Sequence, residues 1–403
     1  MRIPSILKLS ANDKNREAAI TKRDQSIISR VIKRQESIIR RDIADWKTAR
    51  LEATRAEEPR QHLLQVLYDE VMLDAKMTSQ IGLRIDKSQA ASFSLKKGDK
   101  VDEESTKMLQ DSGLYDAFSE EIILANFYGH SLCEFSFEKG NPVINAIPRK
   151  HVSPETGLFY PDVYGTGETY RDRSDFGTFI LEFYPKKGDL GLLNKAVPYV
   201  LMKKFALSCW SELCEIYGIP PRVMKTDTQD PTMLGRAEYM MKEIGSAAWF
   251  IIDTTEEFEF AQGTNTNSDV YKNFISVCDE HISLLNIGAV IGQDTLNGNR
   301  SKEETSVRLL DAIVEADKRK IQFNFNQKII PALESLGVLP QGLRFEFAQA
   351  VDIDKLWKMV FEGSQYYTFD IEWLKNTFGM NVTGIKSAEM YPELRGKALD
   401  FFA

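Results

Sequence analysis

The chain of 403 residues has no long apolar run. A membrane-crossing helix needs about 18 or more predominantly apolar residues, and the most apolar stretch, Phe274 to Ile291, is broken by Asp279, Glu280 and His281. No membrane contact is expected. A secretion signal also needs an apolar core, yet Ile6 and Leu7 are followed at once by Lys8, so folding in a cytoplasm is the expectation. Cysteine is scarce. Cys133, Cys209, Cys214 and Cys278 include no Cys-x-x-Cys pair, and three fall on apolar helical faces, which reads as reduced core residues. Metal-ligand spacing is absent around His130 and His151, so both are read as structural and no metal is assigned. Gly165-Thr166-Gly167 is the nearest approach to a phosphate loop, but it lacks a third glycine, a Gly-Lys-Ser/Thr ending and a helix directly behind it. No nucleotide, other cofactor or catalytic set is assigned.

Positive charge is short over most of the chain. Residues 1–60 carry 15 Lys/Arg against 9 Asp/Glu, a net of +6, which leaves −14 for the remainder of a chain whose total is −8. An acidic body excludes a dominant groove that grips phosphates. It permits a conduit through which nucleic acid slides. The composition, 43% apolar and 27% charged, is that of a globular protein with about two to three domains.

Glycine and proline are missing between Ser5 and Glu58, where Ile20, Ile27, Ile28, Val31, Ile32, Ile38, Ile39, Ile43 and Trp46 trace a helical stripe. One or two amphipathic helices are expected there, with Lys33, Arg34, Arg40 and Arg41 on a basic face that is solvated or meets nucleic acid or an acidic neighbour. A helix is expected over Gln61–Ile81 and another over Ser119–Phe127. The alternation Leu132 to Phe137, the turn Glu138-Lys139-Gly140-Asn141 and Val143–Ile147 read as a β-hairpin. Thr178–Tyr184 reads as a strand. Tyr199–Tyr217 forms a helix apolar around most of its circumference, which wants neighbours on several sides. Within Val223–Gly263, Asp230 caps a helix begun by Pro231, and Ala247–Ile252 and Glu257–Ala261 are two short strands. This insertion is acidic, with Asp227, Asp230, Glu238, Glu243, Glu256 and Glu257 among its charges.

The most informative stretch is Asn267–Gly337. A helix capped by Asn267 or Ser268 should stop near Gly288–Gly292, and a polar loop follows it. Ser301 with Glu304 then opens a long helix through Val307, Leu310, Val314, Ile321, Phe325, Ile329 and Leu333, which Pro331 should kink. A strand (Leu343–Phe347), a helix through Trp357 and Phe361, and a small helical end with Trp373, Phe378 and Tyr391 complete the chain.

The runs "LLNIGAVIGQDTLNGNRSKEETSVRLLDAIVEADKRKIQFNFNQKIIPALESLG" (Leu284–Gly337) and "KKFALSCWSELCEIYGIPPRV" (Lys203–Val223), with "LANFYGHSLCEFSFEKGNPVINAIPRKHVSP" and "RFEFAQAVDIDKLWKMVFEG", resemble the portal proteins of Mu-like tailed bacteriophages. The order of these signals over more than three hundred residues is what is specific. The resemblance implies an α+β, mainly helical portal fold with wing, stem, clip, tunnel-loop helices and C-terminal crown, closed into a cyclic, dodecameric, homo-oligomeric ring. It implies a basic helical arm over 1–60, an α/β wing over 61–198 and stem helices over 199–217 and 267–291. The clip would cover 218–266, a tunnel loop 292–301, a long kinked helix 302–339, and a wing return with helical crown 340–403. The loop would bring Asp294, Thr295, Asn297, Asn299 and Arg300 close to double-stranded DNA, and the acidic clip residues would meet the large terminase and later a neck or adaptor protein. Major capsid and scaffolding proteins are further implied partners, with assembly in the bacterial host cytoplasm and residence at one capsid vertex of the virion. Two alternatives remain at this level: another head–neck connector component, or a metal-dependent nucleic-acid enzyme using Asp352 and Asp354. An Asp-rich helix N-terminus accounts for those two residues without metal.

Overall fold

A computed structural model describes residues 26–32, 42–138, 141–218, 222–227, 229–243, 249–254, 268–290, 300–348, 353–364 and 367–379. The chain divides into two compact units, Met1–Phe347 and Ala348–Ala403.

The larger unit departs from expectation at its start. Ile27 and Ile28 do not belong to a long helix; Ile28–Arg30 is a single 3-10 turn and Val31 is extended. The buried Glu134 carboxylate accepts hydrogen bonds from Ser26 Oγ (2.9 Å), the Ile27 amide (3.3 Å) and the Ile28 amide (3.0 Å). Ile27 itself fills a small core with Leu132, Val152, Phe159, Tyr170 and Ile180. Capture of backbone donors by a buried carboxylate outweighs helical periodicity here. Residues 33–41, with the expected basic face, lie outside the described residues.

Helix α1 (Ile43–Ala53) opens on a capping box between Asp42 and Asp45. The single helix expected over 61–81 is two, α2 (His62–Val71) and α3 (Ala75–Gln89). The Asp74 side chain accepts from the amides of Lys76 and Met77, restarting the helix after a tight turn. Strands β1 (Phe93–Lys97) and β2 (Lys100–Val101) turn at Gly98, whose φ is +62°. Helices α4 (Glu103–Asp111) and α5 (Leu114–Tyr128) follow, α5 starting earlier than the apolar run suggests because Gly113, at φ +70°, reverses the chain before it.

The hairpin is found as β3 (Ser131–Glu138) and β4 (Asn141–Ala146), with Cys133 opposite Ala146 and Phe137 opposite Pro142. Two-residue strands β5 (Val152–Ser153), β6 (Leu158–Phe159) and β7 (Glu168–Thr169) form a small separate sheet, and β8 (Ile180–Phe183) pairs antiparallel with the free side of β3. Helix α6 (Leu193–Gly218) begins before Pro198 rather than after it. One lost backbone bond is tolerated because Leu193, Ala196, Val197 and Val200 are anchored in the main core.

Strand β9 (Arg222–Thr226), helix α7 (Pro231–Glu243) and strand β10 (Trp249–Asp253) form a β-α-β unit with the strands parallel. The other expected strand, Glu257–Ala261, lies outside the described residues, and β9 was not expected as a strand. Parallel pairing needs a crossover, which α7 supplies. Helix α8 (Ser268–Ile287) ends at Gly288, φ +72°.

The long helix is α9 (Arg300–Asn324), a π-helical stretch Phe325–Ile329, and α10 (Ile330–Ser335). The wide turn immediately precedes Pro331, which has no amide to donate and crowds the carbonyl four residues back. Within it, the Asn326 side chain donates to the Phe345 carbonyl (2.9 Å) and accepts from the Phe345 amide (2.8 Å). This closes the free edge of β11 (Arg344–Phe347), whose other edge pairs with β1, Phe93 opposite Phe347. Phe93, Tyr115, Phe118, Phe325 and Phe345 stack into the main core at centroid spacings of 4.3–6.2 Å. The smaller unit contributes α11 (Ile353–Gly363) and α12 (Ile371–Phe378), with Trp357 and Trp373 each in edge contact with Phe378. Tyr391 lies outside the described residues. Of the cysteines, Cys133 and Cys278 are buried, but Cys209 is half-buried and Cys214 exposed, so the core expectation fails for that pair.

Candidate functional site: the paired helices α6 and α8

Both helices are half in the core and half out of it. Among the described residues of α6 the buried ones stop at Lys203, Ala206 excepted, and Phe205 and Leu207 are 55% and 44% exposed. In α8 no described residue before Cys278 is buried, and Val270, Phe274 and Val277 are 65%, 42% and 47% exposed. Tyr199 stacks on His281 with ring centroids 4.7 Å apart, while Lys203 reaches Asp279. That register runs the helices antiparallel.

Where the pair leaves the core it is clamped by charge. Lys203 Nζ lies 2.6 Å from Asp279 and 2.8 Å from Asp74, joining α6, α8 and the cap of α3. Burial would lower its pKa, but the hydrogen bonds it donates to Asp279 and Asp74 together hold the ammonium above its ordinary value.

A second clamp is fully buried. Arg84 on α3 donates to Asp317 Oδ2 of α9 from Nε (2.9 Å) and Nη2 (2.6 Å), and from Nη1 to the Asn286 carbonyl of α8 (2.8 Å). Gln80 donates to Ser283 (2.8 Å) and accepts from Asn286 (3.2 Å). Thus α3 fixes the last turn of α8 and the middle of α9, the two helices that flank residues 291–299. Sequence reasoning missed Gln80, Arg84, Asn286, Asp74 and Lys203. The available signal was Gln80, Arg84 and Ser88, polar at four-residue spacing on a helix face that is otherwise a core face.

Of the expected loop residues, Asp294, Thr295, Asn297 and Asn299 lie outside the described residues, and Arg300 is the first residue of α9. Of the acidic clip residues, Asp227 accepts from the Gln229 amide (2.9 Å) and Asp230 from the Thr232 amide (2.8 Å). Asp230 is thus the cap of α7, as the sequence suggests. Glu238 is exposed on α7 and Glu243 ends that helix, while Glu256 and Glu257 lie outside the described residues. Among the described residues no group of three or more His, Cys, Asp or Glu is placed to hold a metal ion. No described helix is long and apolar enough to cross a membrane.

His130, one residue before β3, is buried against Arg149 and the Arg149–Glu121 ion pair. Burial, then the Arg149 charge, holds its imidazole down to about 3. The folded value lies below the unfolded one of about 6.5, so stability is complete above about pH 6.5 and falls as pH drops toward 3. His130→Leu should therefore lose about 2 kcal/mol less stability than the parent between pH 7 and pH 5, read from urea unfolding at both pH values. Equal losses would show that His130 protonates freely in the folded chain.

The arrangement is that of an assembly protein: an anchored body from which a helix pair carries apolar side chains into the open. The family described as "Portal protein of Mu bacteriophage" matches residues 65–380, most of the chain. The protein belongs to this family of phage portal proteins, which are structural components of the virion and not enzymes. Among solved structures, a chain described as "Neck of empty GTA particle computed with C6 symmetry" is similar at 12% identity and a TM-score of 0.47, over 77% of this chain and 93% of that one. No curated protein matches.

Proposed function

We propose that the protein closes into a cyclic ring, dodecameric by family resemblance, at one capsid vertex, and that double-stranded DNA passes through its channel during packaging and ejection. The observation that carries this is the exposed apolar surface of α6 and α8. Leu207, Phe274 and Val277 are 44%, 42% and 47% exposed, and in a ring the same surface of each copy meets its neighbour. In this reading residues 199–217 and 267–291 are the stem, and 218–266 are a clip docking the large terminase and then a neck or adaptor protein. Asp227, Glu238, Glu243, Glu256 and Glu257 supply the charge for basic partners. Residues 292–301 form the tunnel loop, held at fixed height by the α3 clamp, where Thr295, Asn297 and Asn299 make neutral contacts to phosphate and Asp294 and Arg300 bracket them. Major capsid and scaffolding proteins meet the wing, and assembly takes place in the host cytoplasm.

One experiment tests ring and channel together. Replacing Asp294–Arg300 with a Gly/Ser linker of equal length should leave a ring with a central hole in negative-stain images, while phage particles carrying it hold less DNA than the parent. Monomers in both proteins would defeat the ring. Rings whose particles fill and retain DNA normally would defeat the loop assignment.

A further inference from the structure

Cationic side chains on the larger unit gather in one place, against the prevailing charge of residues 61–403. On β11 and β1, Arg344 stands directly opposite Lys96. Like charges facing one another across a sheet cost stability. Among the described residues Glu346 lies between this pair, 2.8 Å from Lys96 and 3.5 Å from Arg344. Next to Arg344 a groove of about 500 Å³ opens between α9 and β11, with Arg319, Gln322, Phe323, Asn326 and Leu343 on its walls. Arg319 is exposed, and its guanidinium donates only to the Glu315 main-chain oxygen at 3.4 Å, with no carboxylate bridging it among the described residues. Phe323, four residues on from Arg319, lines the same groove at 62% exposure, and Leu343, at 8%, adds an apolar wall.

The backbone of β11 is not what a partner would read. Asn326 satisfies both Phe345 groups, and the Phe347 amide donates to Gln322 (3.4 Å), so no further strand can add there. Recognition must come from side chains: cations and an aromatic ring along one groove with an apolar wall. Duplex DNA matches the charge but offers no apolar side group to fill the groove. An acidic polypeptide with a large apolar residue matches both, and Arg with an aromatic ring is the pairing that dominates protein interfaces.

We propose that the Arg319–Phe323–Arg344 groove docks an acidic segment of a partner protein, anchored by one large apolar side chain. This goes beyond the ring reading and does not depend on it. The full-length protein would be titrated into three fluorescein-labelled probes: a peptide alternating glutamate with leucine and phenylalanine, the same peptide with serine at the apolar positions, and a blunt DNA duplex. Anisotropy should show saturable binding of the first probe, weakened about tenfold by Phe323→Ala and abolished by combined Arg319→Glu and Arg344→Glu. Lys107→Glu, a charge reversal on α4, should leave it unchanged, and circular dichroism checks that every variant is folded. The proposal is overturned if the duplex binds more tightly and ignores Phe323→Ala, which would make this a nucleic-acid surface. It is equally overturned if charge reversal changes the sedimenting mass, which would make it a contact between copies. Peptide binding no stronger to the parent than to the reversed variant would reduce the groove to a solvated face.

Discussion

Asp317→Ala is expected to destabilise the larger unit by about 3–5 kcal/mol, the range for breaking one half of a buried ion pair. The Asp317 side chain is 1% exposed and that of Arg84 is 5% exposed. Truncation leaves the Arg84 guanidinium with only the Asn286 carbonyl as an acceptor, in surroundings that include the Phe127 ring 4.9 Å away. Water cannot replace the lost carboxylate without opening the contact between α3 and α9. The cost is that of the stranded charge and is not the worth of the bond itself, so Arg84→Met combined with Asp317→Leu should recover most of the loss. Denaturant unfolding of the two single variants and the double variant decides the matter. Additive losses would mean the two residues do not act as a pair.

Gly191→Ala should be more damaging still, with a loss above about 4 kcal/mol, in the range of exceptional core lesions. Gly191 has φ +82°, and a methyl there would overlap the Phe127 carbonyl oxygen and stand 2.5 Å from the Gly129 nitrogen. Both obstacles are backbone, so no rotamer change relieves them. Nor can the turn retreat: the Leu192 amide donates to the Asn126 carbonyl (3.1 Å), and Tyr68 donates from Oη to the Leu190 carbonyl (2.7 Å). The first bond ties the end of α5, and the second α2, to the entrance of α6. Gly98→Ala separates conformation from contact. Its φ is +62° with open space around it, so it should cost only about 1–2 kcal/mol. Soluble yield and denaturation midpoints for the two variants should differ widely; similar values would mean the α5–α6 contact is looser than described.

Local chemistry made much of this fold legible from sequence. The β3–β4 hairpin follows from alternation around Glu138–Asn141, α7 from Asp230 and Pro231, and the end of α8 from Gly288. What escaped was set by contacts distant in the chain. Apolar periodicity runs through α2 and α3 because both face one core, and it is blind to Asp74 restarting the helix between them. Arg84 and Asp317 are 233 residues apart, and neither has a local pattern that names the other. The isoleucine stripe near Ile27 mimics a helix until Glu134, on a strand more than a hundred residues later, takes the backbone donors. For the candidate site, the apolar circumference of α6 could be read from sequence. The clamps that fix its exit from the core could not, because each is a polar residue whose partner is on another helix.

Asn326 has a consequence at the level of crowding. Identical copies held side by side present every open strand to one another at very high effective concentration, and a sheet that can extend will do so indiscriminately. By spending a side-chain amide on the Phe345 backbone, the chain withdraws the β11 edge from that competition. The two-stranded β9–β10 sheet receives no such cover among the described residues. In the proposed ring the β11 edge is thereby closed to strand exchange between neighbours, whereas the edges of the β9–β10 sheet are not.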